Sequence, residues 1–190
     1  VEAFTLDTPI TRKAKKANKT VVKAIREHLL NDIIWPDFTS LPSSQNPTIR
    51  LNEIEAEKVL KIGNYEVFPV RVNHFTDAFG YVIRYMGKSI LFTQDTGPTD
   101  RIWEIGKEET NLVGIFCEVS FPNRLDQVAK DSLHHTPNSI SDEIKKMPKK
   151  VPIYLGHLKP KFQDEIIQEM QGVGGRRVTM LEKDDVLLEF

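Results

Sequence analysis

A chain of 190 residues is long enough to bury one sizeable hydrophobic core or two small ones. Its 26 Lys and Arg against 27 Asp and Glu leave a net charge of −1, so there is no basic excess to hold a nucleic-acid polymer electrostatically. The single cysteine, Cys117, excludes an internal disulfide, and no apolar run approaches the ~20 residues of a membrane span.

Residues 1–9 read as a loop or short strand closed by Thr8-Pro9. Over residues 13–34 the spacing of Val21, Val22, Ile25, Leu29 and Ile33 predicts a helix whose lysines and His28 form a solvated face. Trp35-Pro36 is the expected stop, and the Ser, Pro, Asn and Asp clusters of 37–48 read as a loop. Strands are then expected over 50–59, 65–73, 80–85 and 88–93, with Met86-Gly87-Lys88 as a hairpin turn. A short helix or turn follows over 100–109, then a buried strand over 112–119 with Cys117 as a small core residue. Helices over 125–132 and 137–147 precede a strand over 151–156, and Lys145 to Lys150 form a solvated basic patch. An amphipathic helix over 161–170 ends in the glycines of 172–175. These glycines are no phosphate cradle, because they follow a helix and lack the Lys-Ser/Thr pair. Segments 177–181 and 186–190 read as a closing hairpin. Strands and helices in repeated alternation make this an α/β layered fold in one domain, 1–190.

The chemistry gathers where strands end. The run Ser89-Ile90-Leu91-Phe92-Thr93 stops near Asp95, and Thr96-Gly97-Pro98 turns the chain. A carboxylate at such a place either accepts hydrogen bonds from the turn amides or faces a cation. The run from Val67 ends in His74, and the run from Val151 ends in His157. Three strand ends thus deliver His, Asp and His, ligands suited to zinc, manganese or iron, at the edge where layered α/β proteins build sites. Glu118 closes another strand, where it either orients a metal-bound histidine or pairs with a lysine. His134 and His135 lie between two helices, beside the helix-capping pair Thr136-Pro137. An imidazole there can donate to a phosphate oxygen or protonate a leaving group.

The ordered motifs Asp95-Thr96-Gly97-Pro98, Ile102-Trp103-Glu104, Glu118-Val119-Ser120-Phe121-Pro122-Asn123, Ser132-Leu133-His134-His135-Thr136-Pro137 and Gly156-His157-Leu158-Lys159-Pro160 resemble the class II 3′,5′-cyclic nucleotide phosphodiesterases. Asn31 with Trp35-Pro36 fits the same pattern. The resemblance implies a metallo-β-lactamase-like layered sandwich with two divalent ions, usually zinc. It implies that His74 completes one metal site, Asp95 bridges both and His157 completes the other. His134 and Thr136 would then contact the substrate, with His134 and Asp95 catalytic and Glu118 behind them. The implied reaction hydrolyses cyclic AMP or cyclic GMP to the nucleoside 5′-monophosphate. Residues 1–9 resemble the tail of the family's metal-binding signature, with Ala3 and Thr8 as mild departures. Its His-x-His-Leu-Asp-His block would precede Val1, so the expected fold is a copy missing its N-terminal strands. Gln94, where a small residue is expected, and His135, where a hydrophobic one is, also depart from the pattern. Two alternatives stay open: another phosphodiesterase or nuclease of the same fold, or a metal-free relative serving as a binding or scaffold module. The expected partner is a cyclic nucleotide. The expected setting is a soluble protein of the cytoplasm or periplasm, with a homodimer as one open assembly and no membrane partner.

Overall fold

The computed structural model describes residues 13–75 and 77–182. The readings of 1–9 as a loop or strand and of 186–190 as half of a hairpin lie outside the described residues. Contacts divide the chain into two units, Val1–Glu55 and Ala56–Phe190.

In the first unit, strand β1 (Lys13–Ala17) pairs in parallel with β2 (Ile49–Glu53), and helix α1 (Lys19–His28) comes between them in sequence. The helix expected from residue 13 therefore starts at Lys19. The Asn18 backbone is extended, and its side chain accepts the Val21 amide at 2.8 Å, a cap that forbids helix on its N-terminal side. The lysine-rich segment before it satisfies its backbone against β2 instead. The far end also falls short of Trp35-Pro36. Asn31 Oδ1 accepts the amides of Ile33 and Ile34 at 3.1 and 3.0 Å, and this local turn competes with the helix ladder. Trp35 instead returns to bridge Leu30. The helical lysines and His28 are exposed, as their spacing predicts.

The second unit is one seven-stranded sheet in the order of the chain: β3 (Leu60–Ile62), β4 (Tyr65–Arg71), β5 (Phe79–Tyr85), β6 (Lys88–Phe92), β7 (Leu112–Glu118), β8 (Ile153–Gly156) and β9 (Val178–Met180). β3 to β6 form an antiparallel meander, and β6 to β9 are parallel. The β5–β6 turn is the expected tight hairpin. Tyr85 pairs with Lys88, and Met86 and Gly87 both have positive φ, 48° and 75°, as the twist of a two-residue loop requires. β3 carries no sequence signal, being a single short run with Lys61 at its centre. Helices α2 (Arg101–Glu108), α3 (Asp126–Asp131), α4 (Pro137–Lys146) and α5 (Gln163–Glu169) connect the parallel strands.

Alternation sorts the strand residues between two faces. Leu91, Ile115, Cys117, Ile153 and Leu155 are buried and cluster with Ile102 and Trp103 of α2, Ile140 and Ile144 of α4 and Ile166 of α5. On the other face, the in-register residues Phe92, Phe116 and Tyr154 stack at 4.7 and 4.9 Å. Lys146 does not belong to a solvated patch. Its ammonium lies 2.8 Å from both Glu143 and Asp100.

The topology fixes where a site can form. β4 is antiparallel to β5 and β5 to β6, so β4 runs in the same direction as β6, β7 and β8. The carboxyl ends of these four strands therefore share one edge, and each leads into one of the chemical motifs.

Candidate metal centre

Beyond β4 the chain reaches His74 through a loop stitched to the turn after β6. Asn73 donates its amide to Thr96 Oγ1 at 3.1 Å and its side-chain Nδ2 to the Pro98 carbonyl at 3.0 Å. The Gly97 amide returns to the Asn73 carbonyl at 2.8 Å. His74 Nδ1 lies 3.2 Å from the Leu133 carbonyl, which can only accept. Nδ1 therefore carries the proton, and Nε2 is left bare for a cation.

Asp95 is half-buried, and its Oδ1 lies 3.1 Å from His157 Nδ1. The turn amide of Thr96 goes to Glu118 Oε1 instead, at 3.4 Å, so Asp95 is not the acceptor of its own turn. Three residues at the cluster hold left-handed backbone: Gln94 at φ 57°, Leu133 at 55° and His157 at 60°. Such conformations cost about 1–3 kcal/mol each for non-glycine residues and persist only where the surroundings impose them. Gln94, where the resemblance leads to the expectation of a small residue, is one of these left-handed positions.

Glu118 is 3% exposed and sits at the hub. Its Oε1 accepts from His134 Nδ1 at 2.8 Å and from the amides of Thr96 and His135; its Oε2 accepts from Ser120 Oγ at 2.8 Å. Among the described residues no lysine or arginine pairs with it, and its side-chain partners are His134 and Ser120. His134 therefore holds its proton on Nδ1, with Nε2 bare. Ser120 Oγ, having given its proton to Glu118, accepts from His157 Nδ1 at 3.0 Å. Sequence reasoning missed Ser120. It lies two residues past Glu118, just beyond the end of β7, where a continued period of two would set it on the side of Glu118.

The ligand atoms of His74, Asp95 and His134 lie within 4.8 Å of one another, and so do those of Glu118, His134 and His157. The strand-end residues thus converge, and His134 belongs to both groups. Its ring is 5.1 Å from that of His74 and 5.6 Å from that of His157. Burial pushes the His157 pKa below its ordinary value, with Asp95 pulling the other way and Lys159 adding to the lowering. A neutral imidazole is the form a metal needs. His135 stays outside the cluster. It is fully buried, its Nδ1 meets Ser139 Oγ at 3.0 Å, and burial lowers its pKa. Thr136 departs from its expected role at the substrate. It is fully buried, and its hydroxyl accepts the Ser139 amide in a reciprocal cap that starts α4.

No protein-family model matches the sequence, and no curated protein matches it. Solved structures do match. Unliganded yeast PDE1 aligns with a TM-score of 0.72 at 19% identity, over 92% of this chain and 59% of that one. Zn(2+)-bound PqqB from Methylobacterium extorquens gives 0.64 at 11% identity, over 88% and 62%. The metallo-beta-lactamase fold protein YhfI from Bacillus subtilis gives 0.58 at 16% identity, over 70% and 54%. This chain spans less than two thirds of the length of each. At such identities the likeness is one of architecture: the chain has the mixed α/β metallo-β-lactamase fold, with its candidate ligands at the shared strand edge.

Proposed function

We propose that this chain carries the site of a metal-dependent hydrolase that opens 3′,5′-cyclic nucleotides to nucleoside 5′-monophosphates, with both of its units parts of one domain. The observation that carries the reading is the convergence of His74, Asp95, His134 and His157 around buried Glu118. The donor set fits a borderline-to-hard divalent ion such as zinc. It consists of imidazoles and carboxylates, without thiolate, and the Nδ1 protons of His74 and His134 are fixed by acceptors behind them. His74 and Asp95 would hold one ion, with His134 beside them as a further ligand or a phosphate contact, and His157 with Asp95 would face the other. Bound ions would supply a Lewis acid for the phosphoryl oxygens and lower the pKa of a water.

The chain's own contribution is orientation. Glu118 holds His134 directly and His157 through Ser120, so neither ring needs to reorganise as charge develops on the phosphate. In the overall reaction water adds at phosphorus, the P–O3′ bond breaks and O3′ takes up a proton. His134 has one nitrogen left to serve an ion or a phosphate oxygen, and replacing it with Ala separates these roles. Turnover falls in both cases, but metal content falls only if it is a ligand. The resemblance in the ordered motifs and the shared fold with yeast PDE1 support the cyclic nucleotide as substrate. The test uses the full-length protein as purified, with bound metal measured by mass spectrometry and cyclic AMP hydrolysis followed by chromatography. Two ions per chain and 5′-AMP as product are expected. Absence of bound metal, or hydrolysis of other phosphodiesters with none of cyclic AMP, would overturn the reading.

A further inference from the structure

Beside the imidazole cluster stands a half-buried aromatic ring with an ammonium next to it. Phe121 meets the His134 ring edge-on at 5.8 Å, and Lys159 Nζ lies 5.8 Å from the centre of the Phe121 ring. Both residues are anchored through their backbones. The Phe121 amide donates to the His135 carbonyl at 3.2 Å, and the Lys159 amide donates to the Ser120 carbonyl at 3.4 Å. Their backbones are therefore held next to the candidate ligands.

The charges nearby differ in what they already hold. Arg124 makes two hydrogen bonds to Glu165, at 2.8 and 3.0 Å, and lies over Phe162. Lys146 is held between Glu143 and Asp100. Lys159 pairs with no carboxylate among the described residues, and its contact with Phe121 is at the long end for a cation–π pair. An anion arriving at the cluster would draw the ammonium off the ring, since a charge-assisted hydrogen bond is the stronger contact. That movement would free the ring for a planar group, and stacking on an aromatic side chain is indifferent to which base it meets.

We propose that Phe121 is the platform for the base of a nucleotide and that Lys159 takes its phosphate, giving the site its preference for a nucleoside monophosphate unit. This rests on the reading of the cluster as a phosphodiester-cleaving site. It adds the part of the site that recognises what the phosphate is attached to.

The test is calorimetric titration of the full-length metal-loaded protein with two probes, 5′-AMP and inorganic phosphate. Phe121→Leu should weaken 5′-AMP about tenfold, within the range for stacking on one ring, and leave phosphate unchanged. Phe121→Tyr should restore 5′-AMP to within about twofold. Lys159→Met should weaken both probes, by about three- to tenfold. Unchanged 5′-AMP affinity in Phe121→Leu, equal loss of both probes in that variant, or no 5′-AMP binding by the unaltered protein would each overturn the proposal. If the unaltered protein shows the expected split between probes but does not hydrolyse cyclic AMP, the functional reading fails and this assignment stands.

Discussion

Two glutamates of the second unit are equally buried and surrounded in opposite ways. Glu143 is 2% exposed. It accepts from Trp103 Nε1 at 2.6 Å and the Thr99 amide at 3.2 Å, and it meets Lys146 at 2.8 Å. Glu118 is 3% exposed and accepts from two amides, a serine hydroxyl and an imidazole. Glu143 thus carries its own permanent counter-charge, and its network is closed. Glu118 has none among the described residues, and every side chain bonded to it leads toward the strand edge where His74, Asp95 and His157 gather. A buried carboxylate without a cation is costly. The difference sets Glu143 within the scaffold; under the proposed function, Glu118 is half of a charge balance that a bound cation would complete.

Substitutions can break this contrast. The largest effect should come from Asp95→Asn. Asp95 is a proposed ligand, so cyclic AMP hydrolysis should fall by more than the roughly hundredfold limit for a residue that only orients one. The melting temperature should hardly move, because the side chain is half-exposed; a large fall in it would make Asp95 structural.

Next comes Glu143→Ala, which strands the Trp103 and Thr99 donors and removes a partner of Lys146. Urea unfolding should show a loss of about 3 kcal/mol. Metal content should stay as it was; a loss of metal without a loss of stability would erase the distinction.

Glu118→Gln should do the reverse, lowering activity about 10–100-fold while the fold persists.

The smallest effect concerns Cys117, next to Glu118 in sequence. Burial pushes its thiol pKa up, and the charges of both glutamates add to the rise while a hydrogen bond with Thr93 works against it. Above about pH 8.5 the unfolded chain releases this proton and the folded chain keeps it. Stability should therefore decline as pH rises from there, by at most about 1.4 kcal/mol per pH unit from this group. Thiol reagents should label it only on unfolding; rapid labelling of the folded protein would contradict the burial.

What the sequence made legible follows from how local each signal is. The Met86-Gly87 hairpin, strands β4 to β8 of the sheet and the cap at Thr136-Pro137 depend on residues close in the chain, and they appear where expected. The first helix misled at both ends. Apolar spacing carries on through Leu29 and Ile33, while side-chain hydrogen bonds from Asn18 and Asn31 decide the termini. The strand ends bearing His74, Asp95 and His157 were legible because each closes an apolar run. Spacing alone does not bring His134 to them; the resemblance in the ordered motifs does, and in the structure its place depends on Glu118, 16 residues away in the chain. Nor could spacing distinguish Lys146, bound to Glu143 and Asp100, from Lys159, whose ammonium meets the Phe121 ring and no carboxylate among the described residues.

The most direct test of the central claim, that Glu118 poises a metal cluster, is zinc titration by calorimetry of the full-length protein stripped of metal. It would be run beside the Glu118→Gln and Glu143→Gln variants. The account predicts tight zinc binding by the unaltered protein, about 10–100-fold weaker binding in Glu118→Gln and unchanged affinity in Glu143→Gln. Equal affinity in all three proteins, or no zinc binding by the unaltered one, would contradict it.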